Sequence, residues 1–256
     1  MPAPTDWKDK YNWVGDFVEG FAMVELDKWG LVNEKGEEVV PLKYDEVYDF
    51  QDGFAKVKDY DQWGLVNTQG KEVVPPKYDF IGEFDEGLAT VELNGKWGAI
   101  NTRGEEIVEP KYDDVWLFFK DLVKVQLNHQ WGAVNKKGEE VISIKYDFVG
   151  SFFDGLAQVK FNGKYGFVNP QGEEVIPLKY GNVQNFFEGL AEVKLKGKWG
   201  YINTEGEEVV PPIYNKKEWT QLKALVGTGE YGGTKEEQYK EAHEEFQIWK
   251  KENKHK

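Results

Sequence analysis

The stretch "LATVELNGKWGAIN", Leu88 to Asn101, decides the fold. "LATVEL" alternates, with Leu88, Thr90 and Glu92 on one side and Ala89, Val91 and Leu93 on the other, the pattern of a strand with one buried face. Asn94-Gly95 is a two-residue hairpin turn, because both residues tolerate positive φ. "KWGAIN" returns as a second strand, and its Gly98 implies a bulge or a close backbone approach beside the Trp97 indole. Outward from this hairpin, "TRGEE" is another turn with glycine in the left-handed position. "EEIVEP" reads as a third strand stopped by Pro110, and "YDDVWLF" as a fourth.

The aromatic-glycine pair recurs. Trp29, Trp63, Trp97, Trp131, Tyr165 and Trp199 each precede a glycine, and successive pairs are 34 residues apart. Cutting at the leading tyrosine gives units 11–43, 44–77, 78–111, 112–145, 146–179 and 180–213, with the stub of a seventh at Tyr214. Helical tetratricopeptide repeats share this period, but no segment inside the unit runs at 3.6. Four short strands and tight turns consume the unit, and stacked neighbours would bury what one small sheet cannot.

These residues carry a resemblance. The W-G pair, the following "N-x-x-G-E-E-V-V-P", the "K-Y-D" and the "F-x-x-G-L-A-x-V" resemble the WG repeat family of bacterial proteins over 11–213. The resemblance implies an all-β repeat array and a binding or scaffolding role, with no established catalytic residues or cofactor. Six units suit a six-bladed β-propeller, which needs no caps. The alternative is an open solenoid-like β-array with both ends covered. The C-terminal tail could cover one end; the ten N-terminal residues look too short for the other.

The expected organisation is a repeat domain over 1–213 and a helical tail over 214–256. In the tail, "KKEWTQLKALV" places Trp219, Leu222 and Leu225 or Val226 on one face. Thr234 and Glu237 form a capping box for a second helix over 234–253, whose Tyr239, Ala242, Phe246 and Trp249 make one stripe. That helix is expected either to lie on its own chain or to meet a partner or a second copy.

The formal net charge is −14. The tail is almost neutral, with nine lysines against eight acids, so the rest carries 23 basic and 38 acidic side chains. This excess repels nucleic acid and anionic lipid, and favours a basic partner. No cysteine is present, which excludes disulfides and thiolate metal sites. "MPAPTDWKDKYNW" has no apolar stretch and no long apolar run follows, so neither a signal peptide nor a membrane helix is expected, and the placement is cytoplasmic.

Three histidines and two serines leave little material for metal or serine chemistry, and no phosphate-loop pattern occurs. No metal and no cofactor is expected. The acids repeat, as in Glu105-Glu106 and Glu173-Glu174, whereas a catalytic pair needs two dissimilar environments. The aromatic-glycine residues are therefore read as structural, their indoles packing between sheets. The Tyr-Asp pairs are read as turn chemistry.

A site should lie where the units differ. The fourth departs furthest, with "VWLFFKDLVKV" from Val115 and Asn128-His129-Gln130 in place of Asn-Gly-Lys. Trp116, Leu117, Phe119 and His129 are the expected partner-binding patch, which Phe153 and Phe187 could extend; the alternative is that these side chains pack under the C-terminal helix. The expected function is non-enzymatic binding of a protein or peptide. A carbohydrate-binding module with aromatic platforms and a hydrolase are the alternatives.

Overall fold

The computed structural model describes residues 7–119 and 122–252, without the side chains of 117–119. Among the described residues, six four-stranded antiparallel sheets follow one another, and strand order within each is sequence order. They span 13–44, 46–78, 80–112, 114–146, 148–180 and 182–214, and are called sheets 1 to 6. Two compact units divide the chain: 1–120 with 136–138, and 121–135 with 139–256. Sheets 1 to 3 belong to the first unit; sheets 5 and 6 and the C-terminal helices belong to the second.

Sheet 3 shows how the repeat folds. Leu88–Leu93 pairs with Lys96–Asn101 in unbroken register from Leu88↔Asn101 to Leu93↔Lys96. Asn94 and Gly95 both take positive φ, 53° and 72°, as a two-residue turn on a right-twisted hairpin requires. Past Trp97 the register to the last strand slips. A β-carbon on the glycine of the aromatic-glycine pair would meet the backbone of that strand, at 2.6 Å from the Val74 carbonyl oxygen for Gly64. The glycine is thus required by a close approach.

The last strand runs Glu106–Tyr112, straight through Pro110, which does not stop it. This strand is at the sheet edge, where a missing N–H is tolerated. The tyrosine is the final residue of its sheet, not the first of the next. Tyr214 accordingly completes sheet 6 and begins no seventh unit. Asp114–Phe119 opens sheet 4 and is not the fourth strand of sheet 3.

The "N-x-x-G-E-E" segment divides its labour. Asn101 Oδ1 accepts from the amides of Arg103 and Glu105 at 2.8 and 3.1 Å, and its Nδ2 donates to Glu105. The second glutamate reaches the preceding sheet. Tyr44 and Lys43 both donate to Glu72 at 2.7 Å. Tyr78 and Lys77 donate to Glu106 at 2.8 Å, and in the second unit Tyr146 and Lys145 donate to Glu174.

Under each clasp the tyrosine ring joins an apolar layer shared by two sheets. Tyr44 packs with Leu31, Val40, Phe50 and Val57. Tyr78 packs with Leu65, Val74, Val91 and Ile100. Tyr180 packs the same way with Phe167, Ile176, Phe186 and Ile202, although its buried hydroxyl makes no such clasp.

Each end of the repeat has its own covering. A 3-10 turn, Trp7–Lys10, brings Trp7 and Tyr11 onto Ala22, Val24 and Val32 of sheet 1, so the short N-terminal segment does cover that face. The Trp7 ring sits against Gly36, where the equivalent Gly70 meets the Val39 carbonyl of its preceding sheet. At sheet 6, helices α1 (Lys216–Val226) and α2 (Lys235–Glu252) bury Trp219, Leu222 and Phe246 against Val209, Val210 and Tyr214. Thr234 and Glu237 cap α2 as expected. The Tyr214 hydroxyl meets His243 Nδ1 at 2.7 Å and accepts from Gln247 at 2.6 Å, which takes the part that the next sheet's glutamate plays elsewhere.

Candidate functional site

The aromatics of the aromatic-glycine pairs are half-buried, and the tyrosines that end the sheets are the largest fully buried side chains. Trp29, Trp63, Trp97, Trp131, Tyr165 and Trp199 are thus neither fully buried nor fully exposed. Lysines lie over several of these rings. Lys58 lies 5.4 Å from the Trp63 ring, Lys124 4.3 Å from Trp131, Lys160 5.2 Å from Tyr165 and Lys194 5.0 Å from Trp199.

Sheets 1 to 5 each have an exposed aromatic two or four residues after the preceding tyrosine: Trp13, Tyr48, Phe80, Trp116 and Phe148, between 42% and 60% exposed. Trp13 packs on Trp29 at 5.4 Å, Tyr48 on Trp63 at 5.4 Å and Phe80 on Trp97 at 5.7 Å. Two sequence solutions reach this arrangement. In the first, the ring stands two residues after the tyrosine, with glycine two residues further on. Gly15 lies beneath the Trp13 ring and Gly150 beside that of Phe148. In the second, the ring stands four residues after the tyrosine and an acid takes the earlier position. Tyr48 donates to Glu46 at 3.2 Å, and Trp116 Nε1 donates to Asp114 at 2.9 Å.

Trp116 is therefore the fourth sheet's version of Tyr48, exposed as expected. The side chains of Leu117 and Phe119 lie outside the described residues. His129 is exposed in its hairpin turn at φ 65°, a left-handed position that the asparagine-glycine turns fill with glycine. Trp116 belongs to the first unit and His129 to the second. Phe153 and Phe187 are exposed in the second unit. Sequence reading missed Trp13, Tyr48 and Phe80. The alternation between the two ring positions hides them from a column-by-column comparison of units.

Within the first unit, several cavities open between consecutive sheets, and two of them touch these exposed rings. One of about 410 Å³ lies between sheets 2 and 3, lined by Tyr48, Phe54, Trp63, Phe80, Phe84 and the Lys56–Glu83 ion pair, among others. One of about 280 Å³ lies between sheets 1 and 2, lined by Met23, Trp29, Glu46, Val47, Tyr48 and Asp49. Both are aromatic-walled with a few charged groups at the rim, the usual make-up of a binding cleft.

The repeated acids are engaged in the frame. Lys43 and the Tyr44 hydroxyl hold Glu72 below the usual carboxylate range, and Lys77 and then Tyr78 do so for Glu106. Burial is the main cause that raises Tyr44 and Tyr78 well above an ordinary phenol. Asp45 is lowered by Lys28 and by the Tyr60 amide, and Asp79 accepts the Asn94 amide, so these acids tie down hairpin turns. Among the described residues no three His, Asp or Glu side chains converge as a metal site.

The repeat so described matches a known one. The WG containing repeat matches at residues 10–28, 29–61, 63–97, 97–128, 131–165, 165–199 and 199–216. The chain belongs to the WG containing repeat family. No curated protein matches this WG-repeat chain.

Among solved structures it is similar to Kluyveromyces lactis Hsv2 with its complete loop 6CD, at 12% identity and a TM-score of 0.35 over 64% of this chain and 61% of that one. The WG-repeat chain thus spans less than two thirds of that relative's length. A second likeness, to the extracellular domain of BT4673 from B. thetaiotaomicron, has 12% identity and a TM-score of 0.30, over 76% of this chain and 35% of that one.

Proposed function

We propose that this WG-repeat protein is a non-catalytic binding protein for a protein or peptide partner, with a basic partner preferred. The observation that carries the reading is the exposed aromatic that stands on a half-buried WG aromatic in sheets 1 to 3 and recurs, exposed, in sheets 4 and 5. Solvent-facing rings at repeated positions are costly to keep unless something covers them, and aromatic side chains are enriched where partners bind. Charge supports the sign of the partner. Residues 1–120 hold 13 Lys and Arg against 26 Asp and Glu, a net −13, so nearly all the −14 of the whole chain lies there. A field of that sign steers cationic partners.

A non-catalytic role is supported by the acids themselves. Where protonation is shifted, the carboxyls Asp45, Glu72, Glu105 and Glu106 are held down by cationic or hydrogen-bonding partners, the reverse of a general acid. The half-exposed ring faces also favour a second reading, a carbohydrate platform.

Arrays of basic, acidic and neutral peptides beside an array of glycans separate the two. The expected result is binding to basic peptides that weakens on Trp13→Ala or Trp116→Ala with the fold retained. Binding to glycans alone would replace the first reading by the second.

A further inference from the structure

Across the middle of each sheet, register places three side chains from the first, second and third strands side by side on one face. In sheet 2 they are Glu46, Lys58 and Trp63. In sheet 5 they are Phe148, Lys160 and Tyr165, and in sheet 6 Asn182, Lys194 and Trp199. In all three the central residue is a lysine whose ammonium lies over the ring. Sheets 1 and 3 have a glutamate in the same register, Glu25 between Trp13 and Trp29 and Glu92 between Phe80 and Trp97. A carboxylate replaces the lysine, and in sheet 1 two indoles flank it.

A second position departs in the same direction. Two residues earlier on the second strand, Lys56 pairs with Glu83 of the next sheet, and Gln158 donates to Asn185 at 2.6 Å. Sheet 1 has Met23 there, which can pair with no charge. The residue that Met23 leaves unserved is Asp49. Asp49 and Glu25 are each half-buried, and neither side-chain carboxylate has a hydrogen-bond or ion-pair partner among the described residues. Met23, Trp29, Tyr48 and Asp49 line the 280 Å³ cavity between sheets 1 and 2, and Glu25 is the cross-strand partner of Trp29.

Ring faces carry negative potential and attract ammonium and guanidinium groups, more strongly where water is partly excluded. A half-buried carboxylate is costly without a cation. Compared with sheet 2, sheet 1 thus keeps the ring and the facing acid of the next sheet and lacks both lysines, Lys58 and Lys56. We propose that a lysine or arginine side chain of a basic peptide binds here, over Trp29 and between Glu25 and Asp49, taking the place that Lys58 fills in sheet 2. This rests on the partner-binding reading above and names its chemistry. The net −13 of residues 1–120 adds long-range attraction.

The test is calorimetric titration of the full chain with glycine-serine peptides that carry several lysines, several arginines or several glutamates, and with neutral oligosaccharides, at low and high salt. Glu25→Lys and Asp49→Asn are compared with the wild type. Glu25→Lys installs the residue that sheets 2, 5 and 6 already hold at this register, so the sheet should fold, with an unchanged or higher Tm.

The expected result is salt-sensitive binding of the lysine or arginine peptides, none of the glutamate peptide, and roughly tenfold weaker binding in Glu25→Lys. Wild-type binding that Glu25→Lys leaves unchanged would overturn this site and spare the partner-binding reading. No binding of any peptide by the wild type would overturn both. Oligosaccharide binding that Glu25→Lys abolishes would reassign the cavity to sugars.

Discussion

At the scale of single residues, the WG pair answers to two different forces. The glycine is fixed by backbone contact, since the Val74 carbonyl stands 2.6 Å from where a Gly64 β-carbon would be. Gly64→Ala is expected to cost about 2 kcal/mol or more, seen as a lower Tm in circular dichroism. The close approach at this glycine was legible in the sequence, because a strand weakened by glycine in its interior usually gives way there to a neighbouring backbone. The neighbouring indole was less legible. Expected between sheets, it is half-buried, while the fully buried ring belongs to the tyrosine of "K-Y-D". A tyrosine next to an aspartate looks like turn material. That its hydroxyl meets a glutamate 28 positions later, as Tyr78 meets Glu106, is a contact between repeats that no single unit displays.

At the scale of elements, the clasp between consecutive sheets makes stability depend on pH. Glu72 and Glu106 are lowered by their lysine and tyrosine partners, so the unfolded chain takes up protons before the folded one does. Their contribution is present above the ordinary carboxylate value of 4.5 and is lost as pH falls through the folded value. Urea unfolding measured down that range should show a loss that Glu106→Gln reduces.

The docked tail behaves similarly for a different reason. Burial lowers the His243 imidazole from 6.5, partly offset by Glu244, and its Nδ1 meets the Tyr214 hydroxyl, which also accepts from Gln247. A neutral buried histidine must gain a proton as pH falls below 6.5, so stability declines there. His243→Gln should flatten that part of the Tm profile. The tail helices and their capping box were legible from spacing. The element boundaries at Pro110 and at each tyrosine were not, because an edge strand accepts a proline and a sheet end leaves no periodic mark.

At the scale of the whole molecule, invariant positions build the frame, and under the proposed function the departures from them carry recognition. Sequence reading found the fourth unit's departure at Trp116. It missed those of sheet 1, where Met23 and Glu25 look unremarkable until register sets them beside Lys56 and Lys58. It also placed the charge in the repeats without seeing that residues 1–120 hold nearly all of it.

The division between frame and recognition is tested most directly by the Tm values of two variants measured side by side, Trp13→Ala and Tyr78→Ala. The expected loss is about 3–5 kcal/mol for Tyr78→Ala, whose ring is fully buried, and about 1 kcal/mol or less for the exposed Trp13→Ala. A Tm that falls as far for Trp13→Ala as for Tyr78→Ala would contradict that division.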